Sequence, residues 1–370
     1  MRLHRFGVTA STAAVLGAVS LCPLTAHADE GGGAIRYVNT VTLSDDLRLG
    51  GFPVGGLSGI DYDAAKKSYV TISDNRGEEG PVRAYTLNLP IGADGTLGEP
   101  RFDQLIPLRD ADGNPYRPRT SDTESIRWLP NHQGFLYTSE GEAKVGRAGF
   151  LREANLDGGY VRDVPVPGAF TPALDADNAL TSGIRDNLGF ESMDLTRGNS
   201  AIVAMSENAL VQDGPAATTE AESRARLVQI HRNNGTDLAE YLYPVDRVSP
   251  GGVALATGVA EILSLDDNRY LTLERGLVPG KGFTVRLYET STAGADAVTG
   301  LAAAPASAAP MRKKLLFDFA SVGTDPQCVE GMSWGPTLPD GSRSLVLVSD
   351  NNFGLAGKTA FHLLSVAADL

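Results

Sequence analysis

Five stretches of the chain each pair two apolar runs across a turn, with an acid near the start of the first run and another at the end of the second. The second acids are Asp74, Glu140, Glu207, Glu274 and Asp350, at spacings of 66, 67, 67 and 76 residues. The first acids are Glu124, Glu191, Glu261 and Glu330, with Ser58 in that place in the first stretch. Carboxylates gathered this closely raise one another's pKa and must take up protons or hold cations. An all-oxygen set suits a hard divalent cation, and calcium fits better than zinc. Beyond residue 28 the chain has only His132, His231 and His362, and none are spaced as a ligand pair. Asn351, directly after Asp350, adds a carboxamide oxygen to the candidate ligands, and Asn75 and Asn208 occupy the equivalent places.

Cations recur beside these acids: Arg76 after Asp74-Asn75, Arg127 three residues after Glu124, Arg275 directly after Glu274, and Arg185 in "SGIRDNLGFES". An Arg beside metal-binding carboxylates suits a phosphate or carboxylate oxyanion, and each is equally suited to pairing with its neighbouring acid. The alternation Ile126-Arg127-Trp128 turns Arg127 away from the acids. No G-x-S-x-G elbow is present, and His132 lies in an exposed "PNHQG" turn. The more economical nucleophile is water, with a carboxylate as base. The candidate catalytic residues are therefore Glu191, Glu330, Arg185 and Arg275.

The elements that must position these residues are strands. "LSGIDYDAAKKSYVTISDNRG" from Leu57 has four relatives, beginning at Thr123, Phe190, Ala260 and Val329. Two further strand-like runs follow each one, except that the last unit adds only "TAFHLLSV". The missing strand is "AIRYVNTVTL" at residues 34 to 43, ahead of the first unit. Radially repeated four-stranded units are β-propeller blades. The fold expected is all-β: a propeller of five blades closed by the N-terminal strand, or six if two short blades are merged. In each blade the start of the first strand and the end of the second share one rim, so the acids should meet at one channel mouth. The Ala-rich stretch 291–310 reads as a flexible surface loop.

Residues 1–28 read as a secretory signal peptide, with Arg2 and Arg5, an apolar middle and Ala-His-Ala at the cleavage site. The domain then runs from 29 to 370, and export implies a secreted or periplasmic protein. Without Arg2 and Arg5, 30 basic residues face 45 acidic ones, a net charge of −15 (30 − 45). That balance argues against nucleic acid and anionic membranes as partners. No later apolar run is long enough to span a bilayer, and a monomer is expected. Cys328 is the one cysteine left after residue 28, which excludes an intrachain disulfide.

"GLSGIDYD", "GIRDNLGFESM" and "VEGMSWGPTLPDGSRSLVLVSDNNF" together resemble the bacterial family described as esterase-like activity of phytase. The resemblance covers nearly the whole chain beyond residue 28. Where family copies read Glu-Gly, this chain has Glu124-Ser125 and Glu191-Ser192. The resemblance implies a secreted, propeller-like hydrolase of phosphoric or other esters, acting on a small ester or phosphate-containing substrate. Propeller phytases hold several calcium ions at an acidic channel mouth, an analogy at the level of fold. The chain has no dense Lys/Arg cluster for a polyphosphorylated inositol, which counts against phytate more than against phosphoric esters in general. Two other readings of the same residues are a non-catalytic ligand-binding propeller and a lactonase-like hydrolase using Glu, Asn and Asp at one metal.

Overall fold

The computed structural model describes residues 34–247, 256–278, 280, 282–368 and 370; the proposed signal peptide and its cleavage site lie outside the described residues. Five four-stranded antiparallel sheets make the propeller. From the inner strand outward, blade 1 is Leu57–Asp63, Ser68–Ser73, Arg83–Asn88 and Arg101–Pro107. Blade 2 is Thr123–Trp128, Gly134–Ser139, Phe150–Asn155 and Tyr160–Val164. Blade 3 is Phe190–Leu195, Ala201–Ser206, Ser223–His231 and Asp237–Val245, and blade 4 is Ala256–Ser264, Arg269–Val278, Gly282–Ser291 and Arg312–Asp318. Blade 5 takes Cys328–Thr337, Arg343–Asp350 and Ala360–Val366 from the end of the chain. Its outer strand, Ile35–Thr42, comes from the beginning. Five blades are present rather than six, and the closure is the expected one.

The apolar side chains of facing sheets pack between neighbouring blades. Val70, Ile72, Ile126 and Phe135 join blades 1 and 2, and Leu136, Leu151, Met193 and Ile202 join blades 2 and 3. Val203, Met205, Ile262 and Tyr270 join blades 3 and 4, and Leu271, Leu273, Met332 and Leu345 join blades 4 and 5. Tyr69, Tyr85, Val346 and Leu363 complete the circle. The second strands, such as Ala201–Ser206, have both faces covered and are buried at every residue. Outer strands such as Arg101–Pro107 face water and are mostly exposed. Cys328 is a free, buried thiol.

The stretch 291–310 is docked rather than loose. Arg226 is fully buried, and its guanidinium pairs with Asp213 at 2.8 Å and Glu240 at 2.9 Å. The same groups then hold the stretch: Arg226 donates to Leu301 O, Ala304 N donates to Asp213 and Gly300 N donates to Glu240. Burying these charges gives the segment fixed partners that its composition does not reveal.

Candidate metal centre and active site

The acids reach the channel mouth through a shared irregularity. A β-bulge interrupts the pairing of each blade's first two strands, between Leu57 and Gly59, Thr123 and Ile126, Phe190 and Ser192, Val259 and Glu261, and Val329 and Gly331. A bulged residue leaves the ladder and its side chain is re-aimed. The bulge positions are Ser58, Glu124, Glu191, Ala260 and Glu330.

Blade 4 therefore departs from the sequence-based expectation by one residue on both strands. Ala260, not Glu261, holds the bulge position. Arg275, not Glu274, stands opposite Gly258, the place corresponding to Asp350 opposite Cys328. Glu274 points between blades 3 and 4, where it accepts from Tyr243 Oη and Lys313 Nζ, both at 2.6 Å. Glu261 lies one layer below the mouth, in the row of Gly59, Ser125, Ser192 and Gly331. Those four are small because the inner strands crowd there: a Cβ on Gly59 would lie 2.5 Å from Glu124 O. Small neighbours leave room for the Glu261 carboxylate, which accepts from Ser125 Oγ at 3.1 Å and pairs with Arg127 Nη2 at 3.0 Å.

Arg127 also faces the channel, contrary to the alternation argument. It is almost wholly buried, donates to Ile60 O and Ile262 O, and pairs with Asp194 at 3.0 Å. Asp61, in the same row, accepts from Trp128 N and Ser333 Oγ. Burial lifts the Asp61 carboxyl to about 6 and Glu261 to about 7, against the opposing pull of Arg127. This ionic layer lies below the mouth; Arg127, Asp61 and Asp194 line a second cavity of about 270 Å³.

At the mouth the carboxyls fall into three groups, the last two sharing Glu140: Asp74, Glu330 and Asp350; Asp122, Glu124 and Glu140; and Glu140, Glu191 and Glu207. In each group the oxygens lie within 4.8 Å of one another. Asp122 was missed by the sequence reading. Its one signal is its place two residues before a bulge acid, which in the other blades is held by Gly56, Gly189, Gly258 and Cys328. Arg76 bridges to Asp122 at 2.5 Å and to Asn187. Arg275 lies 3.6 Å from Glu207 and 3.5 Å from Glu330.

Among the described residues, two guanidiniums do not balance eight carboxyls. Burial first, and the neighbouring carboxylates second, push Asp74, Glu124, Glu140 and Glu191 well above the usual range. Burial and Glu330 lift Asp350 to about 8. Glu207 and Asp122 are also raised by burial, with Arg275 and Arg76 opposing. Glu330 Oε2, Asp350 Oδ2 and Arg275 Nε are buried without a protein partner. All-oxygen clusters with orphaned acceptors fit a hard cation, so the mouth could hold an ion.

Asn351 is not free to join them. Its Oδ1 accepts from Gly56 N at 3.2 Å and Phe353 N at 3.1 Å, which fixes the loop after Asp350. Asn75 and Asn208 likewise accept from Gly77 N and Ala217 N. Arg185 is tied to Ala209 O and Gly214 O and does not line the cavity. That cavity, about 360 Å³, is bounded by Asp74, Glu124, Glu140, Glu191, Glu330 and Arg275, with Arg76, Phe353 and Leu355 among its outer wall.

The family model described as esterase-like activity of phytase matches residues 52–353. The chain belongs to this family. No curated protein matches the chain. Among solved structures, a chain of a mitotic checkpoint complex is 8% identical with a TM-score of 0.35, over 96% of this chain and 99% of that one. The β-propeller domain of Cps50 (Swd1) from Myceliophteria thermophila is 10% identical with a TM-score of 0.34, over 90% and 100%. The GH43 β-1,3-galactosidase BT3683 is 10% identical with a TM-score of 0.42, over 84% and 90%. Membership of the phytase-like family and the propeller fold suggest a hydrolase.

Proposed function

We propose that the protein is a calcium-dependent hydrolase of phosphoric esters, exported and acting as a monomer on a small ester. The observation that carries the reading is the buried, partnerless set Glu330 Oε2, Asp350 Oδ2 and Arg275 Nε in a phytase-like chain, with Glu330 and Arg275 lining the cavity. Asp74, Glu330 and Asp350 would hold one ion, and the groups around Glu140 would hold others. When bound, a hard divalent cation offsets the carboxylate charge and polarises a phosphoryl oxygen. Arg275 presents an unused Nε–H to a phosphoryl oxygen and orients the ester. Glu330 would hold the ion through one carboxylate oxygen and take a proton from the attacking water through the other. Export rests on the leader-like residues 1–28.

A panel of a phosphomonoester, a phosphodiester, a carboxylic ester and a lactone, each with calcium or with EDTA, tests this. Calcium-dependent turnover of a phosphoric ester supports it. Inactivity throughout points to a ligand-binding propeller and overturns the reading, as does turnover confined to the lactone. The asparagines engaged in turns count against the lactone.

A further inference from the structure

The outer wall of the cavity narrows the substrate class, and this step rests on the phosphoric-ester reading above. Arg76 and Arg275 are the cations lining the cavity, and each is already committed to acids. Glu78 and Glu79 form part of the outer wall. A substrate with several phosphoryl groups would set its extra charges against these acids in a space that, among the described residues, has no spare cation. One phosphoryl group is what the charges accommodate.

The apolar side chains of the lining are Phe353 and Leu355. Leu355 is 91% exposed, a large apolar side chain left in water at the rim of a charged pocket. The loop that presents it is held in an unusual shape. Asn352 and Phe353 are consecutive non-glycine residues in the left-handed region, at φ 43° and 48°. Such a pair costs energy and persists only where the surroundings enforce it. Here the enforcement is by Asn352 N donating to Asp350 and Phe353 N donating to Asn351. Phe353 is pressed over Gly56, where a Cβ would lie 2.6 Å from the ring and would also meet the Asp74 carboxylate. The aromatic ring and the Asp74 group are thus neighbours across one backbone position.

We propose that the substrate is a phosphomonoester with an apolar alcohol half that rests on Phe353 and Leu355. In the reaction a water oxygen bonds to phosphorus, the bond from phosphorus to the alcohol oxygen breaks, and the alcohol leaves with a proton supplied by that water. Burial of Leu355 by the alcohol half, remote from the reacting bond, selects the ester.

The test compares kcat/KM for 2-phenylethyl phosphate, glycerol 3-phosphate and myo-inositol hexakisphosphate, with calcium present. The first two are primary alkyl phosphates, so their leaving groups are alike. The phenylethyl ester should be preferred over glycerol phosphate by about tenfold or more. Leu355→Ser should lower that ratio by about fivefold, and Phe353→Leu should lower it less. A ratio near one, a ratio unchanged in both variants, or preference for the hexakisphosphate overturns this inference and leaves the phosphoric-ester reading standing. Absence of turnover on every phosphate ester overturns both.

Discussion

Arg275 of blade 4 lies 3.5 Å from Glu330 of blade 5, a cation set into the row where the other blades place carboxyls. Its value to the reaction differs from its value to ion binding. Arg275→Met removes a donor aimed at the ester but also removes a charge that competes with a cation. Turnover should fall by about 100-fold or more. Calcium affinity measured by titration calorimetry should hold or rise. A parallel loss of both would show that Arg275 serves to shape the acid cluster instead.

Calcium should stabilise the protein. At free calcium 100 times the dissociation constant, mass action gives about 2.7 kcal/mol. Urea unfolding with calcium and with EDTA reads it directly. Glu330→Gln and Glu191→Gln should each reduce the difference while leaving a cooperative transition in EDTA. An equal difference in both variants would place the ion elsewhere.

The metal-free protein should lose stability as pH rises from 6.5 to 8.5. Asp350 is lifted to about 8 and Asp74, Glu124, Glu140 and Glu191 are raised well above their usual range. In this window the unfolded chain has already released these protons and the folded one has not. The folded state therefore binds more protons, and stability falls with rising pH. His362, lowered to about 4 by burial, acts with the opposite sign and below pH 6.5, outside the window. Melting temperatures in EDTA across the range check the slope, and calcium should flatten it.

Arg127→Met should cost about 3–5 kcal/mol, because it strands Glu261 and Asp194 below the mouth. Chemical denaturation measures it. Arg127→Met combined with Glu261→Met should recover part of the loss. If it does not, the packing of Arg127 against backbone carbonyls outweighs the ion pair.

The repeat, the five blades and the closing strand were legible because each unit carries its own apolar runs and turn. The mouth was legible wherever an acid followed the common pattern of bulge residue, small residue, then Ile or Met, as in Glu124-Ser125-Ile126 and Glu330-Gly331-Met332. Blade 4 failed because "AEILSLDDNRYLTLERG" offers acids one place away from the correct ones. Alternating side chains make a one-residue slip a change of face, so Glu274 went to a blade interface. Aligning Ile262 with Ile126 instead would have put Ala260 at the mouth. The docking of 291–310 was illegible for another reason: Arg226 and its acids lie in separate strands and loops, and only the folded chain joins them.

The group formed by Asp74, Glu330 and Asp350 draws on blades 1 and 5, the two that flank the seam of the ring. Within blade 5, Thr40 of the N-terminal strand bonds to His362 of the last strand, 322 residues along the chain. An ion held by those three carboxyls would add a clasp between blades 1 and 5 to a ring closed by one strand pair and by the packing of Tyr69 and Tyr85 on Val346 and Leu363. Ion binding would then report that the circle has shut, so that a chain stalled before its last strand would keep its acids apart and its chemistry silent.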